Sequence, residues 1–277
     1  MSVLLFTLIL LGGAVTAGLV GSLTGLGGGV IIIPLLTIVL GIDIHYAIGT
    51  ALVSVIATST GSAAAYVREG ITNIRLGMLL EIATTAGAVF GAYLAVYLNP
   101  NFIAVLFGLV LVFSALNSLN KKSEYILEKS DKLAHKLKLD GTFPTKEGKV
   151  SYGVKNVTGG FGMMALAGIL SALLGIGSGA LKVVAMDNIM KVPFKVSTTT
   201  SNFMMGVTAM ASVVIYLQRG YVKPDLAMPV LIGVLVGAIA GSKILLKANT
   251  KKLRLFFALI ILLMAVNMIY NGFQLKF

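Results

Sequence analysis

The sequence predicts an all-α integral membrane protein of eight to ten membrane segments, in two pseudo-symmetric repeats with glycine-broken or re-entrant helices. Three observations carry this. Of 277 residues, 57% are hydrophobic and only 12% charged, with a mean hydropathy of +0.96, against about 25% charged in a soluble chain. A water-soluble enzyme is thereby excluded, and at roughly 20 apolar residues per crossing the chain has room for about eight to ten crossings. Second, sliding the chain on itself by 150 residues aligns Gly25, Gly27 and Gly29 with Gly175, Gly177 and Gly179 without a gap. Third, each of these glycine clusters interrupts an otherwise apolar run.

The first half contains apolar runs at 3–23, 30–40, 47–67, 76–98 and 102–119; the second contains them at 157–174, 180–190, 198–217, 226–246 and 253–270. Most are apolar all round, so length rather than amphipathic period argues for spanning. The first run could be a signal peptide, with Ala-Val-Thr-Ala-Gly at 14–18 as a loose cleavage site. It lacks a basic leading region, and its removal would break one repeat. The same offset pairs Ala17-Gly18 with Ala167-Gly168, Thr50 with Thr200, Thr58 with Thr208, Ser62 with Ser212 and Tyr66 with Tyr216. It also pairs Gly70 with Gly220, Gly87 with Gly237, Gly91 with Gly241 and Asn117 with Asn267. The domain reading is therefore a first transmembrane repeat at 1–120, a charged cytoplasmic linker at 121–156 and a second repeat at 157–277.

The net charge of +12 does not indicate nucleic acid, because nine of the 22 basic residues lie between Lys121 and Lys155 and most others sit at run ends, where they signal topology. The linker also holds five acids, a Gly-Thr-Phe-Pro turn at 141–144 and a short amphipathic helix expected around Tyr125 to Leu139. With no cysteine and two isolated histidines, no cofactor or metal centre is expected. Orientation has two solutions. Re-entrant hairpins at the breaks give four crossings per half and parallel halves; crossing short runs give five and inverted halves. Basic residues favour the inverted solution, which keeps Arg68, Arg75, Lys191, Lys195 and the 247–254 cluster on the linker side, leaving mainly Arg219, Lys223 and Lys276 opposite.

The candidate site follows from the breaks. Glycine costs a helix up to about 1 kcal/mol per residue relative to alanine, so unwinding is expected at Gly25 to Gly29 and at Gly175 to Gly179. Irregular backbone at membrane depth must face protein or a wet cavity, and freed N–H groups at Gly27, Gly28, Gly29, Gly177, Ser178 and Gly179 would suit an anion. Gly87, Gly91, Gly237 and Gly241 read instead as close helix packing. Lys182, three residues after the second break, is an ammonium at membrane depth, costing at least about 2.5 kcal/mol. It would bind an anionic substrate, or else snorkel or pair with an acid such as Asp187. Thr50, Thr200, Ser201 and Asn202 could donate to oxyanion oxygens or glue helices together. Glu81 and Asp187 could carry a coupling proton; for Glu81 the plainer reading is snorkelling or pairing with Arg75. Asp43 and His45 read as interfacial.

Ala17-Gly18, Gly-Leu-Gly-Gly-Gly before Pro34, Gly49-Thr50 and Tyr66 followed by Gly70, with their second-half partners, resemble the TauE/SafE sulfite exporter family, also called toluene sulfonate uptake permeases. The resemblance implies integral membrane carriers of seven or eight helices in two homologous halves, moving sulfite, sulfonates and related small anions. It sides with four helices per half. This chain departs from the pattern at Ser178, where glycine is usual, and at Val184, opposite Pro34. The expected function is secondary transport of a small oxyanion, most readily sulfite or an organosulfonate, by alternating access; the alternative is a passive anion channel. No nucleotide-binding motif and no catalytic constellation is present, so neither ATP drive nor an enzyme is expected. The expected partners are the small anion, the bilayer of the cell membrane, a coupling proton or cation and, as an option, a second copy of the chain; nucleic acid is not among them.

Overall fold

The computed structural model describes residues 3–25, 27–119, 127, 129–145, 148–247 and 250–274. Leu26 of the first break, Tyr125, Ile126 and Glu128 at the start of the expected linker helix, and Lys276 lie outside the described residues. The first half comprises α1 (Val3–Thr24), α2 (Gly29–Pro34), α3 (Ile44–Arg68), α4 (Ile74–Ala95) and α5 (Pro100–Leu119). A short helix α6 (Lys132–Lys136) and a hairpin β1 (Gly141–Thr145) and β2 (Gly148–Tyr152) follow. The second half comprises α7 (Val157–Leu174), α8 (Gly179–Val184), α9 (Phe194–Gln218), α10 (Pro224–Lys247) and α11 (Thr250–Phe273). Among the described residues six helices, α1, α3, α4, α7, α9 and α10, are long and apolar enough to cross a membrane.

Local chemistry sets the ends of these helices. The Asp43 side chain accepts from the His45 N–H and starts α3, and Asn73 accepts from the Leu76 N–H and starts α4, each supplying an otherwise orphaned donor with an oxygen. Gly70 (φ +68°) and Gly220 (φ +73°) take left-handed backbone after α3 and α9. The Ile71 N–H reaches back to Tyr66 O and the Tyr221 N–H to Tyr216 O, the reverse turn that satisfies helix C-terminal carbonyls. Both short helices continue as five-residue π-helical turns, Leu35–Val39 and Ala185–Ile189. Since Val184 replaces Pro34 in the second, the π turn does not need proline. At the breaks the backbones diverge: Gly28 is right-handed at φ −67°, whereas Ser178 is left-handed at φ 51°.

Position for position, contacts recur 150 residues apart. The Tyr66 hydroxyl donates to Ser22 O at 3.1 Å and the Tyr216 hydroxyl to Ala172 O at 3.0 Å. Gly18 lies against the Val234 carbonyl and Gly168 against that of Thr84; Gly87 and Gly91 meet the carbonyls of Ala165 and Ile169, and Gly237 meets that of Val15. Along these seams, residue numbers rise together, so α1 runs parallel to α10 and α4 parallel to α7. The matched pair α5 and α11 runs antiparallel, with Gly108 against Ala265 and Ile269 while Gly272 lies against Asn101 and Val105. The pair α3 and α9 is antiparallel too, with Gly49 against Tyr221 just past α9 and Ser59 bonded to Asn202. The glycines act as expected: without Cβ atoms the backbones approach closely, which gives packing energy where no hydrophobic effect operates between helices.

The linker differs from expectation. The 141–144 segment is a strand rather than a turn, paired so that Phe143 faces Val150 and Gly141 faces Tyr152. The helix is confined, among described residues, to Lys132–Lys136, capped by Asp131. Ala134, Leu139, Phe143, Tyr152 and Val154 are buried in a cluster with Leu76, Leu80, Met186, Met190 and Val196, so the linker is docked on α4, the second π turn and α9. Asn73 Nδ2 donates to Leu139 O at 2.8 Å and to the Tyr152 hydroxyl at 2.9 Å. Burial pushes the Tyr152 phenol up to about 12, Asp140 adding to the rise and the Asn73 bond opposing it, so it stays protonated at neutral pH.

A side chain at Gly237 or Gly87 must push a backbone aside, whereas one at Gly162 meets nothing within 4 Å. Gly237→Val and Gly87→Val are expected to lose about 1–3 kcal/mol through overpacking, and Gly162→Ala to change little. Thermal unfolding of the detergent-solubilised variants checks this, and equal melting points for all three would refute the close-packed seams.

Candidate functional site

Lys182 lies one turn into α8 with no exposed surface. Its Nζ donates to Thr208 Oγ1 of α9 at 2.5 Å and stands 3.6 Å from Glu81 Oε2 of α4. Thr208 in turn donates to Glu81 Oε1 at 2.5 Å. Thr84 and Thr85, one turn further along α4, donate to Glu81 Oε2 and Oε1 at 2.9 and 3.1 Å. One carboxylate from the first half thus collects three hydroxyls and one ammonium, the ammonium coming from the second half. The expected pairing of Glu81 with Arg75 does not occur: Arg75 donates to Lys138 O on the linker. For Lys182 the acid within ion-pair reach is Glu81, while Asp187 sits half-buried on the π turn.

Thr208 was not singled out by the sequence. Its signal is the polar stripe Ser197, Ser201, Thr208, Ser212, at helical spacings that put all four on one face of α9, where all four are buried. Its counterpart Thr58 accepts the Gly28 N–H at 3.2 Å. Matching threonines therefore serve a backbone donor in one half and an ammonium in the other. The neutral net charge makes the cluster tolerable, since an unpaired buried ion costs several kcal/mol.

The two breaks meet. A Cβ at Gly29 would overlap the Gly175 carbonyl, and Gly27 and Gly177 both lie against Val55 and Met205, residues themselves 150 apart. Of the expected site residues, Gly28 has given its N–H to Thr58, Ser201 donates to Gly179 O at 3.3 Å, and Thr200 accepts the Asn73 N–H at 3.0 Å. Thr50 and Thr200 are not brought together. From the Val55–Met205 crossing they lie in opposite directions, about 15 Å apart along the antiparallel helices. The Thr50, Ser178 and Thr198 hydroxyls and Asn202 Oδ1 are buried without a hydrogen-bond partner among the described residues, which is costly unless something else completes them.

The two ends of this interior are closed differently. At the loop between α9 and α10, His45 stacks on Tyr221 with centroids 5.1 Å apart, Tyr46 meets the same ring edge-on and Lys223 sits 5.3 Å from the Tyr46 centroid. His45, read from the sequence as interfacial, is buried, with Nε2 unpartnered. At the matching loop between α3 and α4, the Ile71 carbonyl accepts from Thr199 and Asn73 holds the docked linker. A cleft of about 470 Å³ lined by Lys129, His135, Asp140 and Tyr152 belongs to that linker.

The cluster's worth can be measured. Lys182→Met leaves Glu81 as an uncompensated buried carboxylate and is expected to cost about 3–5 kcal/mol. Adding Glu81→Gln should recover most of that loss. Chemical or thermal unfolding of the single and double variants checks the coupling, and simple additivity would show that the pair does not interact.

The family model described as sulfite exporter TauE/SafE matches residues 9–268 of the chain. A probable membrane transporter protein, YunE of Bacillus subtilis (strain 168), is 30% identical over 92% of this chain and 94% of its own length. Another, MJ0441 of Methanocaldococcus jannaschii, is 26% identical over 96% of both. No solved structure matches the chain.

Proposed function

The chain belongs to the sulfite exporter TauE/SafE family, and from its buried charge cluster we propose that this multi-pass membrane transporter moves a small oxyanion, sulfite or an organosulfonate, by alternating access. The observation that carries the reading is the Lys182 ammonium, held at zero exposure beside the second break and paired with an acid of the other half. An anion leaving water must have its hydration replaced by oriented donors and a compensating charge. Lys182 offers the charge. Ser178, Thr208, Asn202 and the backbone N–H groups of Gly29 and Gly179 are the further donors in this reading, Gly28 having given its N–H to Thr58, with Thr50, Thr200 and Ser201 completing the polar lining as the substrate passes.

The architecture proposed to carry the movement has ten membrane segments in two inverted repeats, α1 to α5 and α7 to α11, with α2 and α8 as half-helices. The antiparallel running of α3 against α9 and of α5 against α11 supports it, because parallel repeats would set such counterparts side by side in one direction. Inverted repeats meeting at broken helices are a recurrent basis of alternating access. It also keeps Arg68, Arg75, Lys191 and Lys195 on the linker side, in agreement with positive-inside bias.

Flux into proteoliposomes tests the carrier. Saturable uptake and counterflow of sulfite or isethionate are expected, and current that does not saturate and shows no counterflow would establish a channel instead. In the folded Lys182→Met, Glu81→Gln double variant, loss of the charge-assisted bond is expected to weaken anion binding by about 1.5–3 kcal/mol, or roughly ten- to a hundred-fold. Unchanged affinity would remove Lys182 from the site.

A further inference from the structure

We propose that Glu81 couples transport to protons: anion and proton move together, one for one, because the substrate takes the place of the Glu81 carboxylate on Lys182. This rests on Lys182 as the anion-binding charge. In the resting cluster, the ammonium has, among the described residues, one carboxylate within ion-pair reach, and Thr208 bridges the two by a donated and an accepted hydrogen bond. A single ammonium with no exposed surface balances a single negative charge. When an oxyanion binds Nζ, the displaced carboxylate keeps only the hydroxyls of Thr84, Thr85 and Thr208. Two anions beside one cation leave a net buried charge, which the interior disfavours.

The balance is restored by one proton from the side on which the anion enters. The ion pair between Glu81 and Lys182, plus A⁻ and H⁺, becomes a neutral Glu81 carboxylic acid beside an A⁻–ammonium pair. No covalent bond other than the carboxyl O–H forms. Release on the far side reverses each step, and a monoanion crosses with no net charge. Thr208 suits this exchange, because its hydroxyl donates to a carboxylate and can accept from a carboxylic acid without moving its oxygen.

Among the described residues, no other titratable group on the helices packed against the cluster faces it. On α4, Arg75 is bound to Lys138 O and Tyr93 is exposed. Helix α7 carries no titratable residue. On α9, Lys195 is exposed and the Tyr216 hydroxyl is turned to Ala172 O. Asp187, on the π turn after α8, is half-buried and five residues beyond Lys182.

The test uses the full chain in proteoliposomes with radiolabelled isethionate, whose sulfonate stays ionised and carries no proton itself, alongside sulfite. An external solution one pH unit more acidic is expected to concentrate isethionate about tenfold, with acidification of the lumen and no net current. Accumulation that follows an imposed membrane potential and ignores the pH gradient would overturn the proposal while leaving the carrier intact. Failure of saturable counterflow for both anions would instead overturn the carrier reading and this one with it. Glu81→Gln is expected to bring the pH-driven accumulation ratio down toward one and to make uptake electrogenic. Retained tenfold accumulation in that variant would remove Glu81 as the coupling group. Should the variant not fold, the wild-type measurement still decides whether anion and proton move together.

Discussion

Hydrocarbon offers no hydrogen bonds, and the interior of this protein is organised by that constraint. A helix broken within the membrane must be walled by protein on every side, or its free backbone groups would face lipid. Here the breaks wall each other: Gly29 backs onto the Gly175 carbonyl, and Gly27 and Gly177 share Val55 and Met205 between them. Such contact leaves little room for side chains at Gly27, Gly29, Gly175 and Gly177, which is why these positions are glycine. Ser178 is a hydroxyl-bearing residue in left-handed backbone where its counterpart Gly28 is right-handed. That conformation costs a non-glycine residue roughly 1–2 kcal/mol, and the hydroxyl finds no partner among the described residues in return.

The same framework carries charge in only one of its two matching places. Where Lys182 stands, the first half has Ile32, and where Glu81 stands, the second half has Leu231. Thr58 and Thr208 remain in both. The threonine thus recurs at the 150-residue offset while the charges do not, and the polar cluster joins α4 of one half to α8 and α9 of the other. A group bound there touches elements that belong to both halves, so a rearrangement of one half against the other is felt directly at the charge pair.

Much of the fold was legible because it depends on quantities that sequence carries openly: the length of apolar runs, and glycines whose spacing survives a shift of 150 residues. Lys182 was legible as a buried cation for the same reason. Its partner was not. Apolar helices that are hydrophobic all round give no periodic signal of which face meets which neighbour, so Glu81 looked nearer to Arg75 than to a lysine in the other half. The linker hid its hairpin similarly: Pro144 within β1 argues against a strand unless that strand lies at an edge, and a two-stranded sheet has only edges. Asn73, which caps α4 and holds Leu139 and Tyr152, joins two regions that the composition separates.

The parallel seams have a consequence for how such a chain is made. Helix α1 finds its glycine-to-carbonyl neighbour in α10, and α4 finds its own in α7. During synthesis from the N-terminus, the first half therefore precedes the helices it packs against, and α1 waits until α10 has been translated. Until the later helices arrive, Glu81 in α4 lacks the cation that neutralises it, and the nascent first half is a partly built object in lipid, completed only by interlacing with the second.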